Sequence, residues 1–325
     1  MIRRLALAVG AAALLAMPAA AAAAPGKGTG KPSKPPAVPH ATVKIDVGHL
    51  HGGKATILDT VPVTGTVTPF VPGQRVEVTF YLDGHRLVGR KVAVRQGPDE
   101  TGTFESSVVV KEGGRYAVSA HHAATATLGA DSTMRKSWRV TYPKLKRGGC
   151  GPVVEVFKAH LAKMGYVSGG GRCFTARLGR EVLAYRKVND LDRTKKAGPG
   201  ILKAVFEGKG GYHVSYPDAG EHAEVSLAKQ VLVLVKGGRP FAIYPVSTGK
   251  PSTPTITGHY SFYRQEPGYN SEGMYYSFYW HNGYAVHGYA EVPDYAASHG
   301  CVRTFIADQP RIYEQLHYGE SIFVF

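Results

Sequence analysis

The chain has 325 residues, 43% of them hydrophobic, with 39 Lys and Arg against 24 Asp and Glu and a formal net charge of +15. That length allows two or three domains, and the apolar content is enough for ordinary buried cores. The charge is +8 over residues 1–142, +10 over 143–212 and −2 over 221–325, with no recognisable nucleic-acid-binding motif. Anionic polymers or membrane surfaces are therefore the expected partners of the basic part, and nucleic acid is not.

Residues 1–24, MIRRLALAVGAAALLAMPAAAAAA, place Arg3 and Arg4 before an apolar run that ends in small residues. This is the pattern of a secretory signal peptide, with an uncleaved membrane anchor as the alternative. No other segment is long and apolar enough to span a bilayer. Residues 25–40, PGKGTGKPSKPPAVPH, have almost nothing to bury and read as a linker.

From Ala41 to Pro143 the texture is short alternating runs, such as RVEVTFYLDG, FESSVVV and RYAVSA, separated by Gly, Pro and Asp. Period-2 runs at this spacing predict an all-β sandwich. Their order resembles bacterial immunoglobulin-like modules, which implies a spacer or adhesion role for 41–143. The segment has no Cys, so the sandwich must rest on its core alone.

Residues 144–212 change period. Val153, Val156, Phe157, Leu161 and Met164 recur at helical spacing, as do Leu178, Val182, Leu183 and Tyr185. Thr175 is a candidate N-cap, and GPGILKAVFEG predicts a third short helix ending at Gly208. These three helices resemble the peptidoglycan-binding domain found beside many wall enzymes. Lys158 and Tyr185-Arg186 stand where that family carries Gln and Phe-Gln. Cys150 and Cys173 both fall in this module of an exported chain, where a disulfide is the ordinary expectation. If they pair, Cys301 is left over.

Residues 221–325 predict a β-rich domain. EVSLAKQVLVLVKGG and RPFAIYPVSTG form a hairpin about Gly237–Gly238, IADQPRIYEQL is the best helix candidate, and SIFVF closes the chain as a strand. Between Tyr260 and Tyr289, eleven of thirty residues are aromatic, against 10% for the chain. Alternate rings of MYYSFYW should coat one side of a groove, with Tyr276 as a substrate-binding candidate, while the rest fill the core.

A nucleophilic thiol needs a base, an orienter for the base and N–H groups aimed at the developing oxyanion. The stretch ending in AASHGCVR offers each. His287 lies at the end of a β run, His299 is two residues before Cys301, Gly300 permits a sharp turn, and Arg303 can hold a carboxylate. A zinc site and an inert buried thiol are the alternatives from these residues alone.

The segment VHGYAEVPDYAASHGCVR resembles the signature of the L,D-transpeptidase catalytic domain, the YkuD-type family. The resemblance spans roughly Glu221 to Phe325. The family's TPxG loop reads TPTITG here, Thr253 to Gly258. The resemblance implies Cys301 as acyl-accepting nucleophile, His287 as base and the Gly288 carbonyl as its orienter. It implies oxyanion donors on Gly300 and Cys301, with Ser298, His299 and Arg303 shaping the substrate site. It further implies no cofactor and no metal, peptidoglycan stem peptides as substrate, a secreted or wall-associated monomer and a multidomain, mainly β chain. Thiol carboxypeptidase activity and non-catalytic wall binding are the competing functions.

Overall fold

The computed structural model describes residues 38–166 and 169–325. The expected signal peptide, residues 1–24, and the linker up to residue 37 lie outside the described residues. The chain is mainly β.

The first sheet has the order β1 (Thr42–Val47), β3 (Thr60–Thr68), β7 (Gly102–Val109), β6 (Arg95–Gln96). The second runs β2 (Lys54–Thr56), β10 (Lys136–Thr141), β8 (Gly114–His122), β4 (Arg75–Leu82), β5 (His85–Ala93), with β9 (Asp131–Ser132) on β8. Alternate residues of both sheets enter one core that includes Val43, Val63, Val78, Phe80, Phe104, Val118 and Trp138. A two-sheet sandwich is the physical outcome of that period-2 pattern.

Three helices follow: α1 (Pro152–Lys163), α2 (Ala176–Val188) and α3 (Pro199–Phe206). Thr175 caps α2 by accepting from the Leu178 N–H. Cys150 and Cys173 are joined by a disulfide, and Cys301 is the free thiol. Closing a loop of 23-residue separation stabilises the fold by ~3 kcal/mol in the chain-entropy view. Lys158 is buried and donates to the carbonyls of Gly170 (2.6 Å) and Gly171 (3.0 Å), tying the Gly-rich loop to α1.

The last part begins with β11 (His222–Ser226), β12 (Val231–Lys236) and β13 (Arg239–Pro245). EVSLAKQVLVLVKGG is therefore two strands, turning at Leu227–Gln230 where Gln230 has φ +56°. Gly237 and Gly238, at φ +58° and +69°, make the hairpin turn between β12 and β13. With β14 (Gly258–Ser261) and β19 (Ser321–Val324) these form a five-stranded sheet, β13-β12-β11-β19-β14. A second sheet has the order β15 (Arg264–Tyr269), β16 (Tyr275–His281), β17 (Tyr284–Tyr289), β18 (Val302–Phe305), and α4 (Gln309–Gln315) packs on β16.

The inner strands β11 and β12 are buried on both faces, which explains the unbroken run VLVLV in β12. Val231, Val233, Val235 and Ile243 share a core with α1, α2 and α3. Leu232, Leu234 and Tyr244 share another with Phe278, Trp280, Val286 and Val302 of the second sheet. The helices and the β-rich part are thus one packed body, although the sequence texture changes between residues 212 and 221. Polar links cross the same boundary. Arg180 of α2 donates through Nε and Nη2 to the two carboxylate oxygens of Asp308, and buried Lys187 donates to the carbonyls of Gln230 (3.2 Å) and Val246 (2.7 Å).

Candidate active site

The site is built on the parallel ladder between β17 and β18. Val286 pairs with Val302, and both enter the core. His287 pairs with Arg303 and Tyr289 with Phe305, so these four leave the opposite face. Continuing the register one step puts Cys301 beside Ala285 on that same face, diagonal to His287. A sheet with one face in the core thereby holds a thiol and an imidazole at fixed spacing.

His287 is 3% exposed, and its Nδ1 lies 3.0 Å from the Gly288 carbonyl. A carbonyl only accepts, so in the neutral ring Nδ1 carries the proton and Nε2 is the free base. Burial pushes the imidazole down to about 4, with the Gly288 contact opposing and Arg303 assisting. Burial also pushes the Cys301 thiol up, with the Ala285 backbone and the Arg303 charge opposing. Both directions make the resting pair a neutral thiol and a neutral imidazole. The Cys301 Sγ donates to the Gly283 carbonyl at 3.5 Å in this structure rather than to His287.

The turn before Cys301 is tightly braced. Gly300 sits at φ +122°, and a Cβ there would lie 2.6 Å from the Tyr284 ring, so both its backbone and its surroundings require glycine. Its N–H, expected as an oxyanion donor, donates instead to Ser298 Oγ at 3.1 Å. Ser298, expected to shape the substrate site, is 1% exposed, and its hydroxyl donates to the Cys301 carbonyl at 2.5 Å. Its hydroxyl thereby braces the turn from within.

Residues 220–324 match the family model for the YkuD L,D-transpeptidase catalytic domain. This segment is an L,D-transpeptidase catalytic domain. The crystal structure of the L,D-transpeptidase (residues 123–326) from Xylanimonas cellulosilytica DSM 15894 is similar at TM-score 0.52 and 27% identity, covering 56% of this chain and 98% of that one. That share of this chain is longer than residues 220–324 alone, so the likeness extends beyond the catalytic domain. The L,D-transpeptidase (Yku) from Stackebrandtia nassauensis aligns at 20% identity and TM-score 0.34 over 55% of this chain and 94% of that one. An L,D-transpeptidase from Mycobacterium smegmatis aligns at 12% and 0.30 over 87% and 99%. No curated protein matches the chain.

Within the L,D-transpeptidase domain, Arg303 lies over the Tyr289 ring at 4.0 Å, and its backbone pairs in both directions with Ser247. His299 is exposed, with Nε2 3.3 Å from Lys250 Nζ. Tyr276, at φ +51°, sits at a bulge of β16. Its ring packs edge-on against Tyr275 and Tyr313, and its carbonyl accepts from Gln309. The ring stays half-buried, so part of it faces outward. Of the aromatic run, Phe278 and Trp280 enter the core, while Tyr279 pairs with Ala285 on the site face. Among the described residues no group of three or more His, Cys, Asp or Glu is placed to hold a metal.

Several supporting residues were missed by sequence reasoning. The TPTITG loop clamps the turn: the Thr255 hydroxyl donates to the Gly300 carbonyl at 2.7 Å, and the Thr253 hydroxyl to the Ser298 carbonyl at 3.0 Å. Gln230 orders Thr248 through both ends of its amide, and the Thr248 carbonyl accepts from the N–H groups of Ala297 and Ser298. Thr304 Oγ1, buried beside Gln309, lies 3.1 Å from the His287 carbonyl. The departure of this loop from TPxG was the one sequence clue to the clamp.

Proposed function

We propose that this protein is a peptidoglycan L,D-transpeptidase that forms cross-links between stem peptides through a thioester on Cys301. The observation that carries this reading is the placement of Cys301 and His287 as diagonal neighbours on one sheet face, with Gly288 fixing the imidazole tautomer.

In the reaction, rotation of the Cys301 side chain exchanges its contact with Gly283 for one with His287 Nε2. The thiol proton passes to Nε2 as Sγ attacks the carbonyl carbon of the donor's penultimate residue, a diamino acid. With the Gly300 N–H spent on Ser298, the Cys301 N–H is the donor on this turn for the resulting oxyanion. Collapse breaks the amide C–N bond. The Nε2 proton goes to the departing amine, and the terminal D-amino acid leaves a thioester behind. The side-chain amine of a second stem then attacks the thioester. Its proton passes to His287 and on to the released thiolate, which completes a 3→3 type cross-link. Arg303, a cation with no acidic partner among the described ion pairs, receives a substrate carboxylate.

In the same reading the chain is secreted and acts as a monomer at the wall. The sandwich of residues 41–143 is an immunoglobulin-like spacer, and residues 144–212 are a peptidoglycan-binding-like module.

Incubation with soluble muropeptides, followed by mass spectrometry, tests the activity. Cross-linked dimers with release of one D-amino acid per link are expected. Shortened monomers alone would make the enzyme a carboxypeptidase, and no conversion would leave a wall-binding protein.

A further inference from the structure

A groove of about 640 Å³ opens between the helices and the far end of β18. Leu145, Phe174 and Phe305 give it an apolar lining. Lys144, Lys146, Arg147, Lys195 and Lys196 line it too, all five exposed. None of the five makes an ion pair among the described residues. The sixth cation, Arg180, is neutralised by Asp308. The start of α2 opens here as well, with no acidic residue in its first turn, so the helix end adds to the positive field.

The groove joins the catalytic face. Cys301, Arg303 and Phe305 are half-buried, while Val302 and Thr304 between them are buried. The three therefore line one side of the strand, with Phe305 ~13 Å from Cys301 at the usual strand rise. Lys195 Nζ stands 4.8 Å from the Phe305 ring centroid, where the cations meet the strand. The walls are fixed in advance. Gly148 and Phe174 are linked at 2.9 Å, the Phe174 N–H donates to Gly149 at 2.8 Å, and the Cys150–Cys173 bond staples the pair. The Leu145 N–H donates to the Ala197 carbonyl at 3.0 Å and joins the lysines of the two sides.

We propose that this groove binds a carboxylate-bearing peptidoglycan strand, the continuation of the strand whose stem peptide reaches Cys301. The inference rests on the transpeptidase reading above and adds a second subsite to it. Five free cations call for a polyanion, and continuity with Arg303 ties that polyanion to the substrate. A polyol phosphate chain would satisfy the lysines but leave the half-buried Leu145 and Phe305 uncovered. A peptidoglycan strand brings carboxylates for the cations and sugar and peptide faces for Phe305 and Leu145.

The test uses the full chain and fluorescently labelled, un-cross-linked soluble peptidoglycan strands. Wild type should bind them in a salt-sensitive way. The variant K144E/K146E/K195E/K196E should bind at least ~10-fold more weakly, a loss of about 1.4 kcal/mol. Strands with amidated carboxylates should bind wild type as weakly. The pairs K144E/K146E and K195E/K196E should divide the loss between the two walls. Iodoacetamide alkylation of Cys301 should proceed at the wild-type rate in every variant, which shows the catalytic face intact. Unchanged strand binding in the fourfold variant would overturn the proposal while leaving the transpeptidase reading standing. Binding of poly(glycerol phosphate) in preference to the strands would overturn the ligand class. Strand binding that depends on the groove, in a protein that converts no stem peptide, would remove the catalytic reading and keep the groove.

Discussion

His287 and Arg303 face each other across the parallel β17–β18 ladder, and imidazole and guanidinium leave the sheet on the same side. A fixed positive charge beside a buried imidazole disfavours its protonation, and the same charge favours a thiolate on Cys301. The acid limb of activity follows from this. His287 acts as a base only when neutral, and burial with Arg303 holds it at about 4. kcat/KM should therefore stay level down to about pH 5 and fall near pH 4, not near the ordinary histidine value of ~6.5. Arg303→Gln should move that limb upward and raise KM, a shift that a merely structural role would not produce.

The same depressed imidazole affects stability. Between about pH 6.5 and 4 the unfolded chain takes up a proton at this residue that the folded chain does not. Stability should fall with pH across that window and level off below it. His287→Gln should remove this contribution in pH-dependent urea unfolding.

Glu181 on α2 is buried, and neither carboxylate oxygen has a hydrogen-bond partner. Burial raises it to about 8, against the opposing charges of Arg177 and Lys158. The folded state keeps its proton where the unfolded state loses it, so stability drops as pH rises from about 4.5 to 8. Glu181→Gln should be nearly neutral at pH 4.5 and stabilising by on the order of a few kcal/mol at pH 8. Equal effects at both pH values would show that Glu181 is solvated.

The shared core sets where the chain can be cut. A fragment beginning near Glu221 would expose Val231, Val233, Val235 and Ile243, each 0% or 1% accessible in the full chain. At ~1.5–3 kcal/mol per buried aliphatic side chain, that loss exceeds the stability of most domains. Such a fragment should aggregate or melt far below the full protein, whereas one beginning near Pro143 should unfold as a single cooperative unit. Calorimetry of the two fragments decides this.

Much of this was legible in the residues. Period-2 runs announced the sandwich, helical spacing announced α1 and α2, and Gly237–Gly238 marked the hairpin. The His-Gly and His-Gly-Cys triplets marked the ladder end and the turn. Contacts between distant residues stayed hidden. Thr255 reaches Gly300 across 45 positions, and nothing local distinguishes it from a loop threonine. The backbone freedom of Gly300 is legible from its type, but the partner of its N–H depends on where Ser298 folds. The texture change near residue 212 suggested a boundary because strand and helix differ in period. The core ignores that change, since α2 and β12 bury their apolar faces against each other.

Gly300→Ala isolates the geometry of the turn. The added methyl meets the Tyr284 ring in a backbone conformation that costs a non-glycine residue ~1–3 kcal/mol. The variant should lose most activity while the distant disulfide and sandwich remain intact. A fully active Gly300→Ala would show that the turn has slack.

Formation of a thioester on Cys301 with His287 as base is read out by intact-protein mass spectrometry after mixing with a donor stem tetrapeptide. Wild type should gain the mass of the donor less its terminal D-amino acid. Cys301→Ala should gain nothing, and His287→Ala should acylate ~10²–10⁴-fold more slowly with partial recovery at higher pH. The same adduct on Cys301→Ala would show that Cys301 is not the nucleophile, and full-rate acylation of His287→Ala with an unchanged pH profile would show that His287 is not its base.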